Sequence, residues 1–161
     1  MLGKILSKST CAECRVCCSF DSYDLWETPV LSEATKNLAE DKIDGVRFVT
    51  KGEKSYLFRM EDPDNDGLYF CPALTETGCA LGDEKPFDCK IWPYRIMRLG
   101  DRRVITLSPV CESVAALPMA KLLAFAEEIA PTIFSYADEN PDIVKDYIDG
   151  HPIIIVEKNN K

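Results

Sequence analysis

Cys11-Ala12-Glu13-Cys14-Arg15-Val16-Cys17-Cys18 places four thiols within eight residues. This stretch decides the fold class, because it predicts a protein organised around a metal rather than around a large sheet or a helix bundle. A gap of two residues between Cys11, Cys14 and Cys17 lets neighbouring sulfurs aim at one centre while backbone amides donate to them. Packing as small hydrophobes does not account for such crowding. Disulfides do not either, since cysteines this close bridge each other poorly.

The remaining cysteines are single: Cys71, Cys79, Cys89 and Cys111. All eight are candidate metal ligands. Bacterial ferredoxins combine three cysteines at the first spacing with a further cysteine followed by proline, and here Cys71 precedes Pro72. Cys11, Cys14, Cys17 and Cys71 could therefore hold one [4Fe–4S] cluster. Cys18 either replaces one of the first three or faces a second site with Cys79, Cys89 and Cys111. Zinc meets the same pattern with four thiolates. A zinc ribbon usually shows two separate C-x2-C pairs, however, and the single downstream cysteines tip the reading slightly toward iron–sulfur. His151 is the only histidine, which excludes a two-cysteine, two-histidine zinc site.

The 161 residues suit one domain with a small subdomain, and 46% are hydrophobic, enough for a core without crosslinks. The net charge of -8 disfavours nucleic acid as a partner. No stretch approaches the roughly 18 apolar residues of a membrane span. Residues 1–10 lack the apolar run of a secretory signal. The expectation is a cytoplasmic protein with reduced thiols, no membrane and no nucleic acid, and an unidentified protein as its only candidate partner.

Outward from the cysteine cluster, the pattern predicts an α+β chain. Cys11 to Cys18 reads as a loop, followed by a short helix or turn over 20–26. Thr28-Pro29 reads as the start of a helix ending before Gly45. Two hairpins follow, 46–50 with 55–60 and 96–99 with 104–107, the second turning at Gly100-Asp101. Residues 71–95 are expected to be mostly irregular. A helix over 117–136, broken or kinked at Pro131, precedes a short helix over 141–148 and a strand over 153–156. Cysteine content divides the chain into a metal domain, 1–111, and a helical extension, 112–161.

The cysteines and their neighbours resemble the YkgJ-like cysteine-cluster family, described as zinc- or iron-chelating and shared with flagellin lysine N-methylase-like proteins. The resemblance rests on Cys11, Cys14, Cys17 and Cys18, on Cys71-Pro72-Ala73-Leu74, on Gly78-Cys79, on Lys85-Pro86-Phe87-Asp88-Cys89, and on Trp92-Pro93-Tyr94-Arg95. It covers about residues 11–111, and the order Trp-Pro-Tyr departs slightly from the common form. It implies metal chelation. Methyl or group transfer is an alternative carried by a few relatives, and a zinc-stabilised interaction module is another.

Other features are weaker. Asp62-Pro63-Asp64-Asn65-Asp66-Gly67 copies the opening of a calcium loop, but its twelfth position is Ala73, so a solvated turn is expected. Arg95, Arg98, Arg102 and Arg103 read as ordinary surface charge. Arg95 is the exception, a candidate cofactor-binding residue beside Tyr94. No C-x3-C-x2-C radical loop, glycine-rich phosphate loop or dinucleotide fingerprint is present. No catalytic residue is assigned.

Overall fold

The computed structural model describes residues 4–20, 28–60 and 67–158. It is an α+β protein of short sheets and helices, as the pattern along the chain predicts. Its packing divides it into two compact units, Met1–Lys90 and Ile91–Lys161.

The first unit opens with helix α1 (Lys8–Cys14), where a loop was expected. The Ser7 hydroxyl accepts the Thr10 amide at 3.0 Å and starts the helix, a cap the cysteine spacing obscured. Arg15 ends it in the left-handed region (φ 56°), and a 3-10 turn over Val16–Cys18 follows. Strand β1 (Ser19–Phe20) comes next, and the rest of the helix or turn expected over 20–26 lies outside the described residues.

The helix expected to begin at Thr28-Pro29 begins later. Val30 and Leu31 enter strand β2 (Val30–Ser32), and Ser32 caps helix α2 (Glu33–Lys42) by accepting the Thr35 amide. Two buried apolar residues gain more from the sheet than from a helix start, and Ser32 is a cap in its own right.

The expected first hairpin is present as β3 (Phe48–Gly52) and β4 (Ser55–Phe58), with β4 central in the order β2-β4-β3. Further on, β5 (Tyr69–Phe70) pairs with β1, and β6 (Leu74–Thr75) forms a small hairpin with β7 (Gly78–Cys79). Helix α3 (Phe87–Ile91) gives the last part of this expected irregular stretch regular structure. The core is Leu31, Ala39, Phe58, Ala73 and Leu81, and Cys71 and Cys79 pack against it.

The second unit contains the other hairpin, β8 (Tyr94–Leu99) and β9 (Arg102–Leu107), turning where expected with Gly100 at φ 62°. After α4 (Glu112–Ala115), α5 (Met119–Glu139) runs unbroken through Pro131. It buries Leu122, Phe125, Ala126, Ile129, Ala130, Ile133 and Ala137, a stripe at helical spacing, and lies against β8 and the last strand, β11 (Ile153–Val156). Burial of each large residue in that stripe contributes about 1.5–3 kcal/mol, which outweighs the one backbone bond lost at proline.

The helix expected over 141–148 is only a 3-10 turn, Pro141–Ile143. Strand β10 (Lys145–Asp146) then pairs parallel to β8. The β-branched residues of 153–156 do form β11, completing the order β10-β8-β9-β11.

Candidate metal centre

Seven of the eight cysteines lie in the first unit, and chain pairing gathers them. The Cys71 amide donates to the Cys18 carbonyl at 2.9 Å, extending the β1–β5 pairing to the cysteines themselves. The β6–β7 hairpin pairs Cys79 with Leu74, three residues beyond Cys71. Cys89 sits on α3, and the neighbouring Asp88 carboxylate accepts the Val30 amide at 2.9 Å, which ties α3 to β2.

Four of these thiols act on one another electrostatically. Burial pushes the Cys89 thiol well above its usual range, and potential charges on Cys71, Asp88, Cys17 and Cys79 push it further. Burial likewise pushes Cys71 up to about 12, with Cys79 and Cys17 adding to the rise. Two backbone amides, Ala73 and Leu74, donate to the Cys71 sulfur and oppose that shift. Cys17 is raised first by its contact with Cys18, the sulfurs 4.0 Å apart, then by burial and by repulsion from Cys18. Lys85 pulls Cys17 the other way.

Without a cation, these groups resist ionisation together, since each thiolate raises the cost of the next. A bound dication reverses that logic, because it favours every nearby thiolate at once. Thiolates are also the ligands that soft metals prefer, so the donor set fits zinc or an iron–sulfur cluster. Among the described residues, however, no group of three or more His, Cys, Asp or Glu side chains is already arranged to hold a metal ion. The thiols are neighbours, not a finished coordination shell.

Of Cys11, Cys14, Cys17 and Cys71, the last two act on each other electrostatically. Cys11 and Cys14 stand on α1, and Cys14 is exposed. Of the second expected set, Cys79 and Cys89 are coupled with Cys17 and Cys71, and Cys18 touches Cys17. Cys111 is buried in the second unit as the residue preceding α4.

Lys85 and the Ala73 and Leu74 amides were not singled out by sequence. The signal for Lys85 was its place in the Lys-Pro segment four residues before Cys89. The amides follow only from the turn that the Leu74 amide makes to the Cys71 carbonyl.

The arginines are mostly engaged within the second unit. Arg98 pairs with Asp146 at 3.0 Å, and Arg103 with Asp138 at 2.7 Å and with Glu157. Arg95 stacks its guanidinium over Trp92, 4.8 Å from the ring centroid, and lies near enough to His151 to lower its affinity for a proton. The calcium-like stretch 62–66 lies outside the described residues.

Comparison with known proteins finds no matching family model, no matching curated protein and no matching solved structure. Among the described residues no helix is long and apolar enough to cross a membrane.

Proposed function

We propose that the first unit is a thiolate metal-binding domain whose principal ligands are Cys17, Cys71, Cys79 and Cys89. The observation that carries this reading is the chain pairing that gathers cysteines of the first unit, the Cys71 amide donating to the Cys18 carbonyl at 2.9 Å with the Cys17 and Cys18 sulfurs 4.0 Å apart; the proton affinities of Cys17, Cys71 and Cys89 are raised beside it. Supporting it, the Cys71 sulfur already accepts two backbone amides, as metal-bound cysteine sulfurs commonly do. A change of χ1 rotamer moves a cysteine sulfur without moving the backbone, so neighbouring thiols can converge when a cation arrives. The resemblance to the YkgJ-like chelating family points the same way.

The metal is zinc or an iron–sulfur cluster. The slight leaning toward [4Fe–4S] rests on the single downstream cysteines and on the ferredoxin-like triple Cys11, Cys14 and Cys17 with Cys71-Pro72. Cys11 and Cys14 stand on a helix, and both metals remain in the proposal.

Single cysteine-to-serine variants, titrated with zinc after reduction under anaerobic conditions, test the reading. Substitution at Cys17, Cys71, Cys79 or Cys89 should abolish tight binding, whereas Cys111→Ser should retain it. Absence of tight binding in the unaltered protein, together with absence of iron and sulfide as isolated, would refute the reading.

A further inference from the structure

The sulfurs of two adjacent residues, Cys17 and Cys18, stand 4.0 Å apart. In a 3-10 turn successive side chains point about 120° apart, so neighbouring sulfurs meet only when both side chains turn toward one another.

The backbone on either side holds this turn in place. Before the pair, Arg15 takes the left-handed conformation (φ 56°), and its guanidinium donates to the Ala12 carbonyl at 3.0 Å and to the Glu76 carbonyl at 2.7 Å. Glu76 lies in the turn between β6 and β7. Within the pair's own turn, the Cys18 amide donates to the Arg15 carbonyl at 2.9 Å, and the Ser19 hydroxyl donates to the same oxygen at 3.2 Å. After the pair, the Cys18 carbonyl accepts the Cys71 amide at 2.9 Å. The two thiols are therefore presented on an anchored turn. Neither cysteine is fully buried, and Val16 beside them is 42% exposed, so the turn lies at the surface, within reach of a small solute.

We propose that Cys17 and Cys18 are a reversible redox pair, which a hydroperoxide oxidises to a disulfide between adjacent residues. One sulfur attacks the peroxide, the O–O bond breaks, and an alcohol (water, from hydrogen peroxide) leaves with the first thiol proton. The second sulfur then displaces water from the resulting sulfenic acid, and the second thiol proton leaves in that water. Two electrons pass from the sulfurs to the peroxide. A dithiol reverses the change by thiol–disulfide exchange. A bridge between adjacent residues is strained, which disqualifies it as a permanent staple and suits it to one that forms and is reduced again. The inference goes beyond the metal-binding reading and does not depend on it. Bridging would remove Cys17 from the proposed ligands, so the test is run without metal.

The full-length protein is reduced, freed of metal with a chelator and held under nitrogen. One equivalent of hydrogen peroxide is added, the remaining thiols are capped with N-ethylmaleimide, and the tryptic peptides are weighed. Cleavage after Arg15 and Lys36 releases residues 16–36, whose only cysteines are Cys17 and Cys18. The expected result is this peptide uncapped and lighter by two hydrogen atoms, with about two thiols lost per chain and restored by dithiothreitol. Cys14→Ser, which alters the exposed thiol on α1, should form the same bridge. Two caps on residues 16–36, a bridge from Cys17 or Cys18 to any other cysteine, oxidation of the pair to sulfinic acid, or loss of the bridge in Cys14→Ser would each overturn the proposal. None of these results bears on the metal content of the isolated protein, which tests the metal-binding reading separately.

Discussion

Metal binding by this protein should release protons in a number fixed by its buried thiols. Cys71 is pushed from an ordinary thiol value of 9.0 up to about 12, chiefly by burial. At pH 7 its ionisation therefore costs about 7 kcal/mol, against about 3 kcal/mol for an ordinary thiol. Cys17 and Cys89 are raised as well, Cys17 first by its contact with Cys18 and Cys89 by burial. On the proposed metal-binding role, all three would meet the metal protonated and would have to give up their protons to become ligands. The signs of the two linked effects oppose each other. In the metal-free protein a raised thiol stabilises the fold below the unfolded value, and that stability is lost as pH rises from 9.0 toward 12. In the loaded protein the thiolate is required, so affinity is lost as pH falls. Calorimetric titration with zinc near pH 7, in two buffers of different ionisation enthalpy, should give about 3 or more protons released per metal. The logarithm of the affinity should rise with pH at a matching slope. Release of about one proton or none would refute the reasoning, because thiols already ionised or not ligating are the only ways to reach it.

Other perturbations address the second unit. Tyr94→Phe removes the buried hydroxyl that donates to the Leu122 carbonyl at 2.8 Å, and should lower stability by about 1 kcal/mol in denaturant titration. Burial raises the Tyr94 hydroxyl to about 12, so the unaltered protein should lose stability as pH climbs from about 10 toward 12, and the variant should lose less. Arg103→Ala breaks the link from β9 to Asp138 on α5 and to Glu157 just after β11. A loss of about 1 kcal/mol is expected, much of it screened by salt, and no change in salt dependence would count against the link. His151 binds its proton less readily than usual because of burial, with the Arg95 charge adding to the effect. It therefore stabilises the fold above 6.5, and that contribution fades as pH falls below 6.5. His151→Gln should flatten the acid limb of thermal stability.

Local chemistry made some of the fold legible in sequence. The turn at Gly100 and the β-branched run at Ile153 to Val156 each announce themselves within a few residues, and both elements are present. Helix α1 was hidden because the same residues carry a stronger pattern, cysteine spacing, which reads as a loop. The delayed start of α2 has a different cause. Thr28-Pro29 is a sound helix start in isolation, but Leu31 is fully buried in a sheet whose central strand lies 24 or more residues downstream. The continuity of α5 through Pro131 likewise depends on the buried stripe packing on the sheet.

The candidate site divides in the same way. The residue type of the proposed site is legible, since eight thiols in one chain invite a soft metal. Which thiols share a centre is not, because that depends on Ser19 pairing with Phe70, on Leu74 with Cys79, and on Asp88 reaching Val30. Each of these links is long-range or turns on geometry, and none leaves a trace in spacing alone.

The most direct test of the central claim is metal and acid-labile sulfide analysis of anaerobically purified protein, with its visible spectrum. A thiolate metal domain predicts about one zinc per chain in colourless protein, or a cluster's iron with matching sulfide in brown protein. Protein free of zinc, iron and sulfide, with all its thiols reactive and no tight zinc binding on addition, would contradict it.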